Sequence, residues 1–418
     1  MKTKLLFACL ALAFGQLVMA QDTLKLTLQE TEQLFLHRNY QLLSAKYEIE
    51  QAKADVITAR LFENPEVSHE NLFYNHETKR FLETSYATGQ FVTQVSQLIG
   101  LAGKRNKNIQ LANTAVKLEE FQYYDLLRTL RYELRSNFYR LYYLQQSATT
   151  YQQQIKSLNQ LLQASNKQLE LGNIANKDVI RIKSLVYNLN MEYNGIKTEI
   201  DELENQLRLF TQVTPGTTIV PIISENLNKN KTLPYSVLLD TAKLNRIDLK
   251  EAKTNIIYAQ QYLKLQKANA IPDVQLSLSY DLKGNYPEKY TGIGISIPIP
   301  LFNRNQGEIK KAKIVIDAQQ TAYEQLQNSL ANEVFKAYKN AERVEALVAQ
   351  MDKNFSADFQ QLMNEVSKNF SKRNISLLEF LDFYDSYKEN SIQFNQLQFE
   401  RMNAKEELNF VVGTNLFK

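Results

Sequence analysis

The stretch LLSAKYEIEQAKADVITARLFENPEV, residues 42–67, decides the fold, because its pattern returns 207 positions later as LKEAKTNIIYAQQYLKLQKANAIPDV, residues 249–274. The recurring positions are Leu42, Ala45, Ala52, Pro65 and Val67, which return as Leu249, Ala252, Ala259, Pro272 and Val274. In each copy a helical pattern stops at a proline and a strand pattern follows. A repeat of this length sets the architecture before any local motif is considered.

The similarity continues downstream of these stretches. Leu101, Ile109 and Ala112 recur 200 positions later, as Leu301, Ile309 and Ala312. The chain therefore reads as two tandem copies of helix, strand, strand, long helix and shorter helix. We assign residues 21–213 to the first copy and 234–418 to the second, with 214–233 as a linker marked by Pro215, Pro221 and Pro234.

The N-terminus carries a targeting segment. Lys2 and Lys4 precede an apolar run, and small residues end at Ala20, so residues 1–20 are predicted to be a signal peptide. The only cysteine, Cys9, lies inside it, so the exported chain would have no thiol or disulfide. No stretch of roughly 20 apolar residues follows. The exported chain is therefore either soluble in the periplasm or a β-barrel in an outer membrane.

Composition narrows the class further. Apolar residues make up 44% of the chain, and 12 Gly and 8 Pro are too few for a disordered protein. The net charge of +4 indicates no nucleic-acid partner. The sequence predicts a folded, mainly helical protein.

A long helix is predicted over about residues 106–171. Along it, apolar residues recur at alternating spacings of three and four residues, as in a coiled coil. The positions of this seam are Leu127, Leu130, Leu134, Asn137, Leu141, Leu144, Ala148, Tyr151, Ile155, Leu158, Leu162, Ser165 and Leu169. The second copy is predicted to keep one continuous seam at Leu330, Val334, Ala337, Ala341, Val344, Val348, Met351, Phe355, Asp358 and Leu362. A helix of about 66 residues is roughly 100 Å long, too long for a compact domain.

Four further helices are predicted at about half this length. They cover about residues 28–63, 178–210, 235–270 and 377–411. Two half-length helices laid end to end match one long helix. We therefore expect a tall coiled-coil α-helical barrel in which each long helix runs beside a stacked pair of short ones.

Strand patterns separate the opening helix from the long helix in each copy. Apolar and polar residues alternate in the second copy over residues 274–282 and 293–299, and less cleanly in the first over 67–74 and 90–98. Such strands suit a barrel wall between lipid and water, although an ordinary soluble hairpin has the same period. Four strands cannot close a channel, so several chains would have to share one transmembrane β-barrel.

Three short motifs carry a family resemblance. Asn64-Pro65-Glu66-Val67, Gly100-Leu101-Ala102-Gly103-Lys104-Arg105 and Pro300-Leu301-Phe302-Asn303-Arg304-Asn305 resemble strand boundaries in the TolC-type outer-membrane factor family, in particular its heavy-metal efflux branch. The resemblance spans essentially the whole mature chain. It implies a homotrimer in outer-membrane lipid, with a twelve-stranded barrel and a periplasmic tunnel of twelve helical columns.

The resemblance also places partner docking at the two helix-to-helix turns. The residues concerned are Leu171, Gly172, Asn173, Ile174, Arg373, Asn374 and Ile375. Gly172 also has a local reason, since helices commonly end with a left-handed glycine. Arg373 stands where the family would have glycine, a departure that either weakens the adaptor-docking groove at this turn or makes it cationic.

Acidic residues follow the turns. Glu379 and Asp382 lie three apart on one helix face, and in a trimer they would form two rings like the family's acidic periplasmic gate. Such rings favour cations and raise one another's pKa. Asp178 is the related acid of the first copy, and Arg181 could pair with Asp382 to hold the tip shut. The alternative is an ordinary solvated helix face.

An enzyme is not indicated. His37, His69 and His76 fall on a helix, a strand and a loop without carboxylates at metal-ligand spacing, so no resident metal is predicted. We expect His69 and His76 to face solvent or the lumen. The sequence has no nucleophile motif and no phosphate loop, so no cofactor is predicted and the energy for transport must come from another protein.

These features predict an outer-membrane exit duct that passively conducts metal cations or small toxic compounds. The resemblance implies a periplasmic adaptor and an inner-membrane pump of the RND or another type as partners. The duct would open when the tip helices swing apart. Two alternatives are a soluble periplasmic coiled-coil interaction protein and the duct of a type I protein secretion system.

Overall fold

A computed structural model describes residues 23–223, 233–284, 287–351, 355–372 and 374–417. The predicted signal peptide, with Cys9, lies outside the described residues, as does Arg373. Of the predicted linker, residues 224–232 also lie outside them.

The first copy folds in the predicted order, with additional short strands. Its elements are β1 (Thr23–Thr27), α1 (Leu28–Arg38), α2 (Tyr40–Arg60), β2 (Glu66–Asn71), β3 (Tyr74–Asn75), β4 (Arg80–Phe81), β5 (Phe91–Ile99), α3 (Lys104–Glu170) and α4 (Asn176–Thr211). The long helix α3 has 67 residues and α4 has 36. Both lengths agree with the predicted ones.

The second copy follows after β6 (Thr218–Ile222), a strand within the predicted linker. Its elements are α5 (Tyr235–Asn245), α6 (Ile247–Asn269), β7 (Val274–Asp281), β8 (Tyr290–Ser296), α7 (Gln306–Gln350), α8 (Phe355–Ser371) and α9 (Leu377–Val412). The predicted fold class, mainly α with a small β part in two tandem copies, is confirmed. Strand β6 pairs in parallel with β1, a contact that no sequence pattern predicted.

Each opening helix was predicted as one piece, and this is wrong in both copies. The breaks lie at Asn39 and Arg246, 207 residues apart and therefore at the same position of the repeat. Asn39 leaves the helical conformation with ψ 120°. Its side-chain oxygen accepts a hydrogen bond from the Leu42 N–H at 3.1 Å, and its amide donates to the Phe210 carbonyl at 3.3 Å. These two bonds stabilise the break and cap the next helix.

The continuous seam predicted for the second long helix is also wrong. Helix α7 ends at Gln350 and α8 begins at Phe355. The Met351 N–H bonds to the Val348 carbonyl, three residues back, at 3.2 Å. A bond of this spacing tightens and ends the last helical turn. The predicted seam positions therefore fall on two separate helices.

The last predicted strand is shorter than expected. Strand β8 ends at Ser296, so Ile297 and Ile299 lie beyond it. Pro298 and Pro300 explain the end, because proline has no N–H to donate to a strand ladder.

The described residues form two compact units, and each unit draws on both copies. The helical unit comprises the described residues within Met1–Leu42, Leu127–Asn245 and Asn332–Lys418, and the sheet unit comprises those within Leu43–Leu126 and Arg246–Ala331. In the helical unit, the seam residues Leu134, Leu141 and Leu158 are fully buried. Arg135 lies beside them and bonds to Glu32 at 2.5 Å and to Glu406 at 2.9 Å.

The sheet unit contains a four-stranded antiparallel sheet in the order β2-β5-β7-β8. Strand pairs from the two copies are joined where β5 pairs with β7, as in the partners Val95 and Leu278. Within the described chain, β2 and β8 are the two edges of this sheet.

Candidate functional site

The turn between α3 and α4 closes with the hydrogen bonds that glycine makes possible. Gly172 has φ +74°, in the left-handed region, and its N–H bonds to the Leu169 carbonyl at 2.9 Å. The Asn173 N–H bonds to the Gln168 carbonyl at 2.8 Å. These two bonds form a Schellman motif. The predicted left-handed glycine is therefore confirmed.

The turn between α8 and α9 repeats this closure 201 positions later. The Asn374 N–H bonds to the Asn369 carbonyl at 2.9 Å, and the Asn374 side-chain amide donates to the Asn369 side chain at 3.3 Å. In the first turn the Asn173 amide donates to the Gln168 side chain in the same way, at 2.8 Å. Arg373 occupies the position that corresponds to Gly172. The bond from the Asn374 N–H to the Asn369 carbonyl forms although arginine replaces glycine there.

Residues from both turns line one groove, which we call the tip groove, with a volume of about 940 Å³. The first turn contributes Asn173 and Ile174, and the second contributes Ile375. Polar uncharged and apolar side chains share the wall, and the polar ones include Gln153, Gln154, Ser157, Gln160, Ser165, Gln168, Gln360, Asn364, Ser367 and Ser371. Of the residues predicted to dock a partner, these three line the groove, whereas Leu171 is 70% exposed outside it.

An apolar cluster from α3, α4, α8 and α9 adjoins the groove, and Met363, Phe380 and Tyr384 belong to both. Its buried members are Tyr151, Leu158, Val186, Leu189, Met363, Val366, Phe380, Leu381 and Tyr384. The Tyr384 hydroxyl donates to the Gln154 carbonyl at 2.5 Å and so ties α9 to α3. Burial raises the pKa of Tyr384, which keeps this hydroxyl a proton donor. The amide of Gln154 is buried and forms no hydrogen bond with the described residues.

A second polar contact joins α9 to α4, and we call it the latch. Lys388 Nζ lies 3.1 Å from Glu192 Oε2 and 3.6 Å from Asp385 Oδ1. The Tyr151 hydroxyl donates to the same Glu192 carboxylate at 3.1 Å, and burial raises the pKa of Tyr151 to about 12. The Lys388 side chain is only 10% exposed, whereas that of Glu192 is 42% exposed. The latch therefore joins α3, α4 and α9.

The predicted gate acid Glu379 is engaged at the start of its own helix. Ser376 caps α9, and the Glu379 carboxylate accepts hydrogen bonds from the Ser376 N–H at 2.8 Å and the Ser376 hydroxyl at 2.9 Å. This reciprocal arrangement is a capping box. The bonds from the Ser376 backbone and hydroxyl lower the pKa of Glu379. Within one chain the pKa of Glu379 is therefore lowered, whereas a ring of acids was expected to raise it.

The other predicted gate residues occupy matched positions of the repeat. Asp178 lies 201 residues before Glu379 and lines the tip groove, and Ala175 replaces the capping serine there, so α4 has no side-chain cap. Arg181 lies 201 residues before Asp382, and both are exposed. Their pairing across subunits stays a prediction.

The sheet presents one apolar face along its whole width. Val67, Val95, Leu278 and Ile293 form one row across the four strands. They are 68%, 44%, 54% and 83% exposed, respectively. The adjacent row, on the opposite face, consists of Glu66, Ser96, Ser277 and Gly294. The predicted alternation of apolar and small or polar residues is clear in β7 and β8. It is weaker in the first copy, as predicted, because β2 contributes only Val67 to the apolar face and β5 places Val92 and Leu98 on the opposite one.

His69 is exposed, in agreement with the prediction that it faces solvent or the lumen, and that it faces a lumen stays a prediction. It lies two residues after Val67 on the same face of β2, and its Nδ1 lies 2.8 Å from the Thr93 hydroxyl. Within the described ranges, no group of three His, Cys, Asp or Glu side chains could hold a metal ion.

Sequence reasoning missed Lys388, Glu192 and Tyr384. The latch partners are 196 residues apart, and no motif links them. The capping box was detectable, since serine three residues before glutamate opens the apolar run at Leu377.

Among the described helices, none is both long and apolar enough to cross a membrane.

The paired helical hairpins and the sheet with its exposed apolar face make up the fold of outer-membrane channels. The fold matches the Campylobacter jejuni CmeC outer membrane channel with a TM-score of 0.74 at 14% identity, covering 93% of this chain and 86% of that one. It matches CusC, in structures that concern folding and transmembrane channel formation, with a TM-score of 0.73 at 17% identity, covering 93% and 92%.

The chain belongs to the outer membrane efflux protein family, whose model matches residues 31–211 and 238–414. It is also similar to the cobalt-zinc-cadmium resistance protein CzcC of Cupriavidus metallidurans, with 21% identity over 358 residues. That alignment covers 85% of this chain and 82% of CzcC. The family resemblance stated from the three short motifs is confirmed.

Proposed function

We propose that the protein is the outer-membrane exit duct of a tripartite efflux system, and that it works as a homotrimer. The observation that carries the proposal is the four-stranded sheet, whose exposed apolar face runs from edge to edge. In water such a face would be an unfavourable surface. In a bilayer it would be the lipid-facing side of a barrel wall, with the small and polar face lining a water-filled channel.

The dimensions of the sheet are close to those of a barrel wall. Strand β7 has 8 residues, and at about 3.4 Å per residue it extends roughly 27 Å along its own axis. Strands of outer-membrane barrels tilt by about 35–45°, so β7 would span roughly 20 Å of an apolar band that is about 25 Å tall. The edges β2 and β8 of one chain would pair with those of its neighbours, and three chains would supply twelve strands. Closure removes the free edges, which would otherwise pair with foreign strands.

The helical unit would form the periplasmic part, with its gate at the tip groove. The latch and the Tyr384–Gln154 bond join hairpin α8–α9 to hairpin α3–α4. Opening by a swing of one hairpin away from the other would break both contacts. The rings of Glu379 and Asp382, together with Asp178, would set the preference for cations at the gate.

The two turns are the proposed docking surface for a periplasmic adaptor. Asn173, Ile174 and Ile375 line the tip groove, and Leu171, Gly172 and Asn374 flank it. Arg373 stands at the position that Gly172 has in the first turn, and it would add a positive charge. The adaptor segment that binds there would therefore carry an acidic residue. An RND-type or other pump in the inner membrane would supply the energy for transport.

Divalent metal cations are the proposed substrate. The similarity to a protein named for cobalt, zinc and cadmium resistance supports this class over small toxic compounds or secreted protein. A duct that passes cations needs no resident metal site. It needs acidic residues that attract cations without holding them.

The two faces of β7 give a direct test of the proposal. Leu278→Lys places a charge at the middle of the lipid-facing side, where it would cost about 2–4 kcal/mol. Ser279→Lys places the same charge one residue away, on the channel side. We expect Leu278→Lys to abolish recovery from the outer-membrane fraction and channel activity in planar bilayers, and Ser279→Lys to retain both. Equal behaviour of the two variants would refute a lipid-facing sheet.

A further inference from the structure

An unusual apolar segment follows β8 at one end of the sheet. In Ile297-Pro298-Ile299-Pro300-Leu301-Phe302 the four large apolar side chains are exposed by 50%, 76%, 64% and 91%, in chain order. Six consecutive residues with so much exposed apolar surface need a partner. We call this segment, together with Leu61 and Phe62, the junction surface.

Backbone chemistry makes this segment suited to a lipid interface. Pro298 and Pro300 have no N–H, so the segment cannot extend the ladder of β8, and it carries two fewer donors that would need a partner. An irregular segment in contact with lipid is unfavourable chiefly because of unpaired backbone donors and acceptors. This segment lowers that cost while keeping its large side chains exposed.

The other members of the surface lie at the same end of the sheet. Strands β2 and β7 begin there and β5 and β8 end there, as the pairing of Gln275 with Ser296 shows. Leu61 and Phe62 are 65% and 76% exposed just before β2. Gln97 near the end of β5 donates to the Glu63 carbonyl at 2.8 Å and holds this junction to the sheet.

Each copy places an arginine beside its exposed phenylalanine. The guanidinium of Arg105 lies 4.2 Å from the centre of the Phe62 ring, and its Nε donates to the Arg60 carbonyl at 2.8 Å. Arg304 is exposed two residues after Phe302. Two nearby acids are paired: Asp273 bonds to Lys104 at 2.7 Å, and Glu308 lies 3.8 Å from Lys311. Two others, Glu63 and Glu66, are exposed at this end.

We propose that the junction surface binds the headgroup region of the periplasmic leaflet and recognises anionic phospholipid. Ile299, Leu301 and Phe302 would insert at the level of the headgroups, and Arg105 and Arg304 would bind lipid phosphates. The apolar segment continues directly from the apolar face of the sheet, and guanidinium matches phosphate in charge and geometry. The inference rests on the proposed function, because it requires the sheet to lie in a membrane.

Tryptophan fluorescence tests this inference cleanly, because the chain contains no tryptophan. Phe302→Trp reports on the junction surface, Ile293→Trp on the apolar face of the sheet, and Met191→Trp on an exposed site of α4. Each full-length variant is reconstituted in bilayers whose lipids carry bromine either near the headgroup or deep in the acyl chains. Bromine quenches only indole rings that lie close to it.

We expect the emission of Phe302→Trp to shift to shorter wavelength and to lose intensity with bromine near the headgroup. Ile293→Trp should lose intensity with deep bromine, and Met191→Trp should be unaffected. If only Ile293→Trp is quenched, the junction surface does not bind lipid although the proposed function stands. If neither is quenched, the proposed function itself fails. Contact with a second copy would leave Phe302→Trp shifted but unquenched, which also overturns the inference.

The arginines are tested in the Phe302→Trp background. Titrating brominated anionic lipid into zwitterionic bilayers gives the relative affinity of the site for anionic headgroups. We expect Arg304→Gln to lower this preference about fivefold, the effect of one basic residue at an anionic surface. Lys336→Gln, a change of an exposed basic residue in the helical unit, should leave this preference unchanged. An unchanged preference in Arg304→Gln would refute phosphate recognition.

Discussion

Breaking the latch should open the proposed duct, and its two partners should differ in their effect. Glu192→Gln removes the carboxylate that pairs with Lys388. The Lys388 side chain is only 10% exposed, so its ammonium group cannot be fully hydrated. Asp385, 3.6 Å away, would compensate in part. Lys388→Met removes the buried charge and leaves a Glu192 side chain that is 42% exposed and free to bind water. We therefore expect Glu192→Gln to have the larger effect.

The size of the effect follows from this burial. Removing one partner of a fully buried ion pair costs about 3–5 kcal/mol, whereas exposed pairs contribute about 0–1 kcal/mol. The latch lies between these limits, and we expect Glu192→Gln to destabilise the closed tip by about 2 kcal/mol and Lys388→Met by about 1 kcal/mol. Because 1.4 kcal/mol is a factor of ten, the open-to-closed ratio should rise about thirtyfold and about fivefold for each subunit's latch. The proposed trimer has three latches, so a concerted opening multiplies these factors.

Single-channel recording in planar bilayers measures this ratio as the open probability. Lys183→Met, which changes an exposed lysine on α4, is the matched control and should behave as the unmodified protein. The double variant should approximate Lys388→Met, since no buried charge remains to be destabilised. An open probability unchanged in both single variants would refute the latch, and a larger effect of Lys388→Met would refute the burial argument.

Three further predictions concern the tip and the helix break. Glu379→Gln combined with Asp382→Asn should abolish divalent-cation block of the single-channel current. The tip should stay folded, because glutamine also completes a capping box. Unchanged block would refute the acidic rings. The Glu379 pKa lies below its ordinary 4.5, so its capping contribution is present above that value and is lost as pH falls through the lowered pKa. Hydrogen-exchange protection factors at the start of α9, corrected for the intrinsic pH dependence of exchange, should therefore fall at low pH. Glu379→Gln should remove this dependence, whereas Ser376→Ala should only weaken it because the Ser376 N–H still donates to Glu379; protection factors that stay constant with pH would refute the capping role. Asn39→Ala should lower the free energy of unfolding by about 1–2 kcal/mol, because the cap of α2 is lost, and a thermal midpoint equal to the wild-type value would contradict this role.

The sequence predicts well those features that depend on periodicity. The coiled-coil positions Leu134, Leu141 and Leu158 are fully buried because a repeat of three and four residues puts them on one face of α3. The strands were found for the same reason, since their alternation has a period of two. The internal repeat then fixed the order of all these elements.

Features that depend on a single side chain were not predictable in this way. The helix break at Asn39 rests on two hydrogen bonds, one of them to Phe210, which is 171 residues away. In the second copy the break falls on Arg246, a residue with no turn signal, and the shared position became visible only in the structure. The latch likewise needs α4 and α9 to be adjacent before Glu192 and Lys388 can be seen as a pair.

The proposed gate shows where pattern alone misleads about electrostatics. Three-residue spacing placed Glu379 and Asp382 on one helix face and indicated acids that raise one another's pKa. In the structure, the Glu379 carboxylate instead accepts hydrogen bonds from Ser376, the residue that caps α9. These bonds lower the pKa of Glu379. In the proposed trimer the ring of acids would oppose this lowering at Glu379.

The mass and membrane location of the expressed protein test the central claim most directly. The protein is extracted from isolated outer membranes in mild detergent and sized by light scattering with the detergent contribution subtracted. We predict a trimer, found only in the outer-membrane fraction, because four strands of one chain leave two open edges and an exposed apolar face. A water-soluble monomer or dimer in the periplasmic fraction would contradict the shared barrel and the duct.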